Sequence, residues 1–350
     1  MKSKRITIGL LILMIGTAII ASGIGAMHIS PQQVIAILLN QIKIHIPVTY
    51  DEGLANVLLQ IRLPRVVAAM LIGSGLAVAG AAMQGFFRNP MADPTLIGIS
   101  FGASFFAVLT IVVLSSLPIL NNSSLIPKYY LLNVTTFGGA CLTSFLVFRL
   151  SKTGGRSLIT TLLLAGLAIN AMCRALTDLV TYVANDEQLR TATFWTMGSL
   201  GGITWSSVLA LLPFMLVPII LLPRLAKSLN AFALGEQEAA YLGIKVKRLK
   251  TMIVVLTTLM VGASVAIAGV IGFVGLIVPH MLRSVTGSDH RLLLPNCALL
   301  GATLLTLADV VSRTIIAPAE LPIGIVTAVI GTPVFVLLLI KQKKQLRLLS

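Results

Sequence analysis

Long apolar runs alternate with short polar connections along almost the whole chain. A helix needs about 20 apolar residues to cross a bilayer core roughly 30 Å thick. Ten stretches approach or exceed that length, some interrupted by Gly and Pro: residues 6–26, 64–86, 94–116, 130–150, 158–183, 206–223, 250–270, 271–286, 293–315 and 321–340. The pattern predicts an all-α polytopic membrane protein with about ten transmembrane helices, forming one domain over residues 1–350. The least marked boundary falls between the seventh and eighth spans, where Gly269, Gly272 and Gly275 offer a turn but no polar loop. Lys2, Lys4 and Arg5 precede the first span as they would a signal peptide. The long run Ile6–Ile20, with no A-x-A site after it, favours a retained anchor.

Charge then orients the spans. With a cytoplasmic N-terminus and alternating spans, inside segments hold 19 of the 26 Lys and Arg residues. Outside segments hold Lys43, Arg62, Arg65, Lys128 and Arg190, while Arg174 and Arg313 fall within spans. That bias predicts an even number of spans with both termini inside. Composition agrees, since 57% hydrophobic and 11% charged residues cannot cover a water-soluble globule and are the reverse of a disordered chain. In a soluble protein the net charge of +15 would suggest a nucleic-acid partner. Parcelled beside apolar spans it faces anionic lipid headgroups instead, so membrane lipid is the expected partner and nucleic acid is not.

A weak repeat runs through the chain. Gly73–Gly80 matches Gly262–Gly269 at four of eight positions with an offset of 189 residues. The two copies lie in spans of opposite direction, as in an inverted repeat of two five-helix halves. Gly- and Ala-rich segments also resemble one another by chance, and both readings stand. Small residues four apart, such as Gly98/Gly102 and Gly73/Ala77, let helix backbones approach closely in lipid and predict a tight bundle.

The chain carries no G-x-x-x-x-G-K-[ST] phosphate loop, H-E-x-x-H pair or G-x-S-x-G elbow, so it is not expected to be an enzyme or to bind a metal or cofactor. Cys141, Cys173 and Cys297 lie in apolar stretches, and His28, His45, His280 and His290 are scattered. Uphill movement of a solute would therefore draw on an ion gradient or on another subunit. The longest inside connection, Arg224–Lys250, contains Gly235 and Gly243 bracketing a helix-forming run, with Gly243 suited to a C-terminal cap. Ala239 and Ala240 would let a partner approach, but a plain connector on the membrane surface fits as well. Arg174 and Asp178 stand one turn apart at hydrocarbon depth, where ionisable residues face a cavity or one another.

Five ordered motifs resemble one family of ABC importer permeases, those for iron chelates, heme and vitamin B12. They are Arg62-Leu-Pro-Arg65, Gly80–Pro94, Gly235–Gly243, Gly272–His280 and Glu320–Gly324, and they span nearly the whole chain. The resemblance implies ten helices per subunit, a second permease subunit forming a homodimer, two cytoplasmic ATPases that use ATP and Mg, and an external binding protein. It implies a multi-pass protein of the bacterial inner membrane, working by alternating access. The segments Phe194–Ser199 and Asn89–Pro94 lean toward heme, with ferric siderophore next and vitamin B12 as the alternative.

The same resemblance assigns residues. Coupling helices at about 225–247 would place Gly235, Glu236, Ala239, Ala240, Leu242 and Gly243 against the ATPase. Arg62, Arg65 and Arg313 would receive acidic groups of the binding protein; headgroup anchoring, or for Arg313 a local pair with Asp309, is the alternative. Arg174 and Asp178 would line the translocation path or form a structural pair. The segment 189–202 would be an outer gating helix, with Trp195 and Met197 as an apolar constriction or an interfacial anchor. Rival readings are a proton-coupled secondary transporter titrating Asp178 and Asp309, and an assembly subunit with no path of its own.

Overall fold

The computed structural model describes residues 2–25, 27–113, 128–153, 156–157 and 159–347. Residues 26, 114–116 and 158 of the expected spans lie outside these. Among the described residues seven helices are long and apolar enough to cross a membrane, and Ile99–Val112 and Ile323–Leu337 are shorter apolar helices.

In chain order the helices are α1 (Lys2–Gly23), α2 (Pro31–Gln41), α3 (Glu52–Asn56), α4 (Leu63–Phe87), α5 (Ile99–Val112) and α6 (Lys128–Leu150). They continue with α7 (Ile159–Tyr182), α8 (Asp186–Thr196), α9 (Trp205–Arg224), α10 (Ala226–Leu234) and α11 (Glu236–Tyr241). Last come α12 (Val246–Ala268), α13 (Val274–Thr286), α14 (His290–Thr314) and α15 (Ile323–Arg347). Extended pairing among the described residues is confined to Lys152–Thr153 against Arg156–Ser157. The ten expected spans correspond to α1, α4, α5, α6, α7, α9, α12, α13, α14 and α15. Polar side chains start the helices outside the core: Ser30 with Gln33 forms a capping box on α2, and Asn185 with Gln188 does the same on α8.

Two spans differ from the expected stretches. The third begins as a single 3-10 turn, Pro94–Ile97, and Gly98 at φ +84° separates it from α5. The eighth is helical only from Val274, because Gly269 and Phe273 both take φ +68° and keep the backbone out of the helix between them. At 1.5 Å per residue the 13 residues of α13 rise about 20 Å, short of a full crossing.

α4 is the hub, packing against α14, α12, α13 and α9. Its backbone touches two neighbours directly: a Cβ on Gly73 would overlap the Gly301 carbonyl, and one on Gly80 would overlap the Gly275 carbonyl. Polar atoms beside these crossings are satisfied across them. Ser74 Oγ donates to the Ala298 carbonyl at 2.8 Å, Gln84 Nε2 to the Leu276 carbonyl at 3.2 Å, and Arg283 to Gln84 Oε1. A six-residue π-helical stretch, Val57–Arg62, joins α3 to α4 and changes the side-chain register just before the hub helix.

Candidate functional site

Three regions collect the expected residues. The first is the Arg224–Lys250 connection, which meets the C-terminal end of α4. Phe232 of α10 is fully buried and stacks on Phe86 at 6.3 Å between centroids. The Arg88 guanidinium lies 6.0 Å and the Lys250 ammonium 5.9 Å from the same ring. Gly235, at φ +149°, makes the sharp turn between α10 and α11, and Lys250 Nζ meets Glu236 Oε1 at 2.5 Å. Gly243 takes φ +82°; its N–H reaches the Ala240 carbonyl at 2.9 Å and that of Ile244 reaches Ala239 at 3.0 Å. This is the left-handed helix ending expected from its position.

The connection is thus a short rigid helix pair anchored from both sides. One expected contact changes: Ala239 is 0% exposed, packed under its own helix, and is not a surface a partner can reach. Its outward side is formed by Ala240, Leu242, Leu234 and Tyr241, the last 89% exposed. Leu234 and Tyr241 were not singled out from the sequence, although large apolar residues in the most polar connection were a legible signal.

The same connection is also tied to α14. Asn230 Nδ2 donates to Asp289 Oδ1 at 2.6 Å, and Asn230 Oδ1 accepts from the His290 backbone N–H at 3.0 Å. Asp289 caps α14 by accepting the Arg291 N–H at 3.0 Å. That backbone bond, then the Asn230 amide, hold its carboxyl below the usual carboxylate range.

At the opposite end of α4, Arg62, Arg65 and Arg313 form one cluster with two carboxylates. Arg62 is buried; its Nη1 donates to the Ser22 and Gly23 carbonyls at 3.0 and 2.7 Å, and its Nη2 to Met27. Arg313 Nη2 donates to the Ala21 carbonyl at 2.7 Å, and its Nε lies 3.5 Å from Asp309 Oδ2. Both guanidiniums therefore satisfy the last turn of α1, whose carbonyls have no partner within their own helix. Arg65 Nε donates to Asp309 Oδ1 at 2.9 Å and Nη1 to Glu320 Oε1 at 2.7 Å. Asp309 is fully buried and Glu320 exposed. Headgroup anchoring is excluded for Arg62 and Arg313 by this burial, and the local Arg313–Asp309 pair is present. An acidic group approaching this rim meets Glu320 and the edge of Arg65, not three open cations.

The third region is the exposed face of α7 with the segment after it. Arg174 Nε lies 3.9 Å from Asp178 Oδ2, with side chains 73% and 70% exposed among Leu167, Met172 and Leu179. Eight residues separate Arg174 from the helix end at Tyr182, about 12 Å of rise. Trp195 is half-buried against the core, so it is not a free interfacial anchor. Met197 is exposed, while its carbonyl accepts the Gly324 N–H at 3.1 Å. Ile323 N donates to Gly198 O at 3.0 Å and Ser199 N to Ala268 O at 2.8 Å, stapling this segment to α15 and α12. None of these residues lines the cavity of about 450 Å³ among Tyr130 and Phe137 of α6, Thr204 at the start of α9, Phe214 of α9 and Ala263 of α12. Among the described residues no three His, Cys, Asp or Glu side chains are grouped to hold a metal.

A close-packed bundle with an anchored apolar loop at one end and a charged rim at the other is the architecture of a transporter's membrane-spanning subunit. Residues 10–341 match the FecCD transport family, and the chain belongs to it. It is 45% identical over 295 residues to the hemin transport system permease protein HmuU of Yersinia pestis, covering 84% of this chain and 86% of that one. It is 41% identical over 287 residues to the vitamin B12 import system permease protein BtuC of Escherichia coli, covering 81% and 84%. An inward-facing metal-chelate type ABC transporter superposes with a TM-score of 0.83 at 35% identity, over 97% of this chain and 99% of that one. The chain is an ABC importer permease and a multi-pass protein of the bacterial cytoplasmic membrane, and the resemblance drawn from its motifs holds.

Proposed function

We propose that this chain carries an iron chelate inward, heme before ferric siderophore, as half of a permease dimer driven by two cytoplasmic ATPases. A loaded external binding protein docks at the rim of Arg65 and Glu320. ATP binding and hydrolysis, with Mg, close the ATPases beneath α10 and α11, and the permease alternates its access. The observation that carries this reading is the exposed Leu234, Tyr241 and Leu242 on a helix pair pinned by Glu236–Lys250 and by Phe232. Such a pair moves as a rigid body when its partner moves. Heme is favoured by the similarity to the hemin permease, and vitamin B12 is the alternative by the similarity to BtuC.

The exposed Arg174–Asp178 pair supports a second copy across α7. Bare charge at that depth is costly in hydrocarbon, so a partner subunit and a water-filled path are the fitting cover. Proton coupling through Asp309 does not fit this site, because its carboxylate is fully buried and already paired with Arg65 and Arg313, with no open route to either side of the membrane through them.

Reconstitution with the ATPase and binding protein, offering hemin, a ferric siderophore and cobalamin, tests the assignment: uptake that needs no ATPase would defeat it. The double variant Tyr241→Asp, Leu242→Asp is expected to fold normally yet retain ATPase on the order of thirtyfold less tightly, as removal of a contact worth about 2 kcal/mol would. Co-purification at graded ATPase concentration measures it. Arg174→Ala should assemble and bind both partners but slow uptake; uptake at the wild-type rate would remove Arg174 from the path.

A further inference from the structure

α14 is a single 25-residue helix, about 37 Å long, with fixed polar points at both ends. At its start one amide does two jobs. Asn230 holds the Asp289 carboxylate that caps the helix, and it also takes up the His290 backbone N–H, one of the donors a helix start leaves unpaired. Asn230 Oδ1 lies 2.7 Å from His290 Nδ1 as well, and the His290 ring is buried against Gly85 of α4. Twenty residues further along, Asp309 of the same helix is buried beside Arg65 and Arg313. Chain continuity already ties α10 and α11 to α9 and α12. The link to α14 is different, because it joins residues 59 and 60 positions apart through side-chain hydrogen bonds.

We propose that Asn230 is a positioning residue that passes movement of the α10–α11 pair to α14, and along it to the Arg65–Asp309–Glu320 rim. The inference rests on the reading of that pair as the ATPase contact. A rod fixed at both ends converts a displacement at one into a displacement at the other, and linkage makes the coupling reciprocal. Binding-protein engagement at the rim is thereby felt at the ATPase through the same helix. Cutting the Asn230 link leaves α9 and α12 attached, so the ATPase still docks but part of its stroke is lost.

The test uses the full complex in lipid vesicles, with ATP hydrolysed per molecule imported as the readout. The transported probe is whichever of hemin, a ferric siderophore or cobalamin the wild-type chain moves. Asn230→Ala is expected to raise that cost about fivefold or more while ATPase retention stays at the wild-type level. Asn230→Asp sets two carboxylates against each other and should do the same. Adding Asp289→Asn to Asn230→Asp restores a donor and an acceptor in reversed order, and should bring the cost back to wild type. This rescue decides the matter even if Asn230→Ala fails to fold. A wild-type cost in Asn230→Asp, or a lowered melting temperature with unchanged cost in all variants, overturns the proposal. Failure of the wild-type chain to retain the ATPase would overturn the docking reading, and this inference with it.

Discussion

Gly80→Leu is expected to leave no correctly packed protein, seen as loss of the monodisperse peak after detergent extraction. The crossing of α4 and α13 has no room for a side chain, because a Cβ on Gly80 already overlaps the Gly275 carbonyl. The clash is with backbone, which cannot rotate away as a flexible side chain can. Forcing the helices apart also opens the neighbouring contact of Gln84 with Leu276. Overpacking a close-packed interior costs roughly 1–3 kcal/mol even where neighbours can adjust. Here three more side-chain carbons must fit against backbone, so the loss exceeds that range. Gly16 of α1, which has nothing within 4 Å of a built Cβ, is the control: Gly16→Leu should extract and elute like wild type.

Asp309→Asn should be the most damaging change at the charged rim. It removes the negative charge between Arg65 and Arg313 while leaving both guanidiniums enclosed. Removing one partner of a buried ion pair costs about 3–5 kcal/mol, chiefly because the remaining charge is stranded. Thermal unfolding in detergent should show the drop directly. Glu320→Gln is the contrasting case: it also removes a negative charge beside Arg65, 2.7 Å away, but from an exposed side chain whose amide oxygen can still accept the bond. Exposed pairs are worth about 0–1 kcal/mol, so its melting temperature should stay near wild type. Similar losses in both variants would mean that burial does not set the hierarchy in this cluster.

How much was legible in advance follows from what lipid does to a sequence. A helix in water shows its buried face by contrast with a polar one, but a span between lipid and core is apolar on every side. α4 and α7 illustrate this: both are largely apolar, yet most of α4 is buried within the chain and most of α7 is not. Span positions could therefore be read from apolar length, whereas inward faces could not. The small residues Gly73 and Gly80 were the remaining clue, and they do mark backbone contacts. Gly235 and Gly243 were legible for another reason, since their punctuation of a polar loop fixes a short helix locally. Ala239 was misplaced because a six-residue helix is too short for periodicity to say which side faces in. The Arg313–Asp309 pair could be read from its i,i+4 spacing, but the reach of Arg62 and Arg313 to α1 could not, because the acceptors there are backbone carbonyls, which carry no sequence signal.

Those carbonyls set a timetable for synthesis. At roughly 5–20 residues per second, Arg62 follows Gly23 by about 2 to 8 s, but Arg313 follows Ala21 by about 15 to 60 s. Through that interval the end of α1 has one of its two arginine caps. Asp309 and Glu320 follow Arg65, their common partner, by 244 and 255 positions, about 12 to 51 s of synthesis. The rim therefore cannot close until long after its first arginine has been made, and a nascent chain that stops between Arg65 and Asp309 cannot present it.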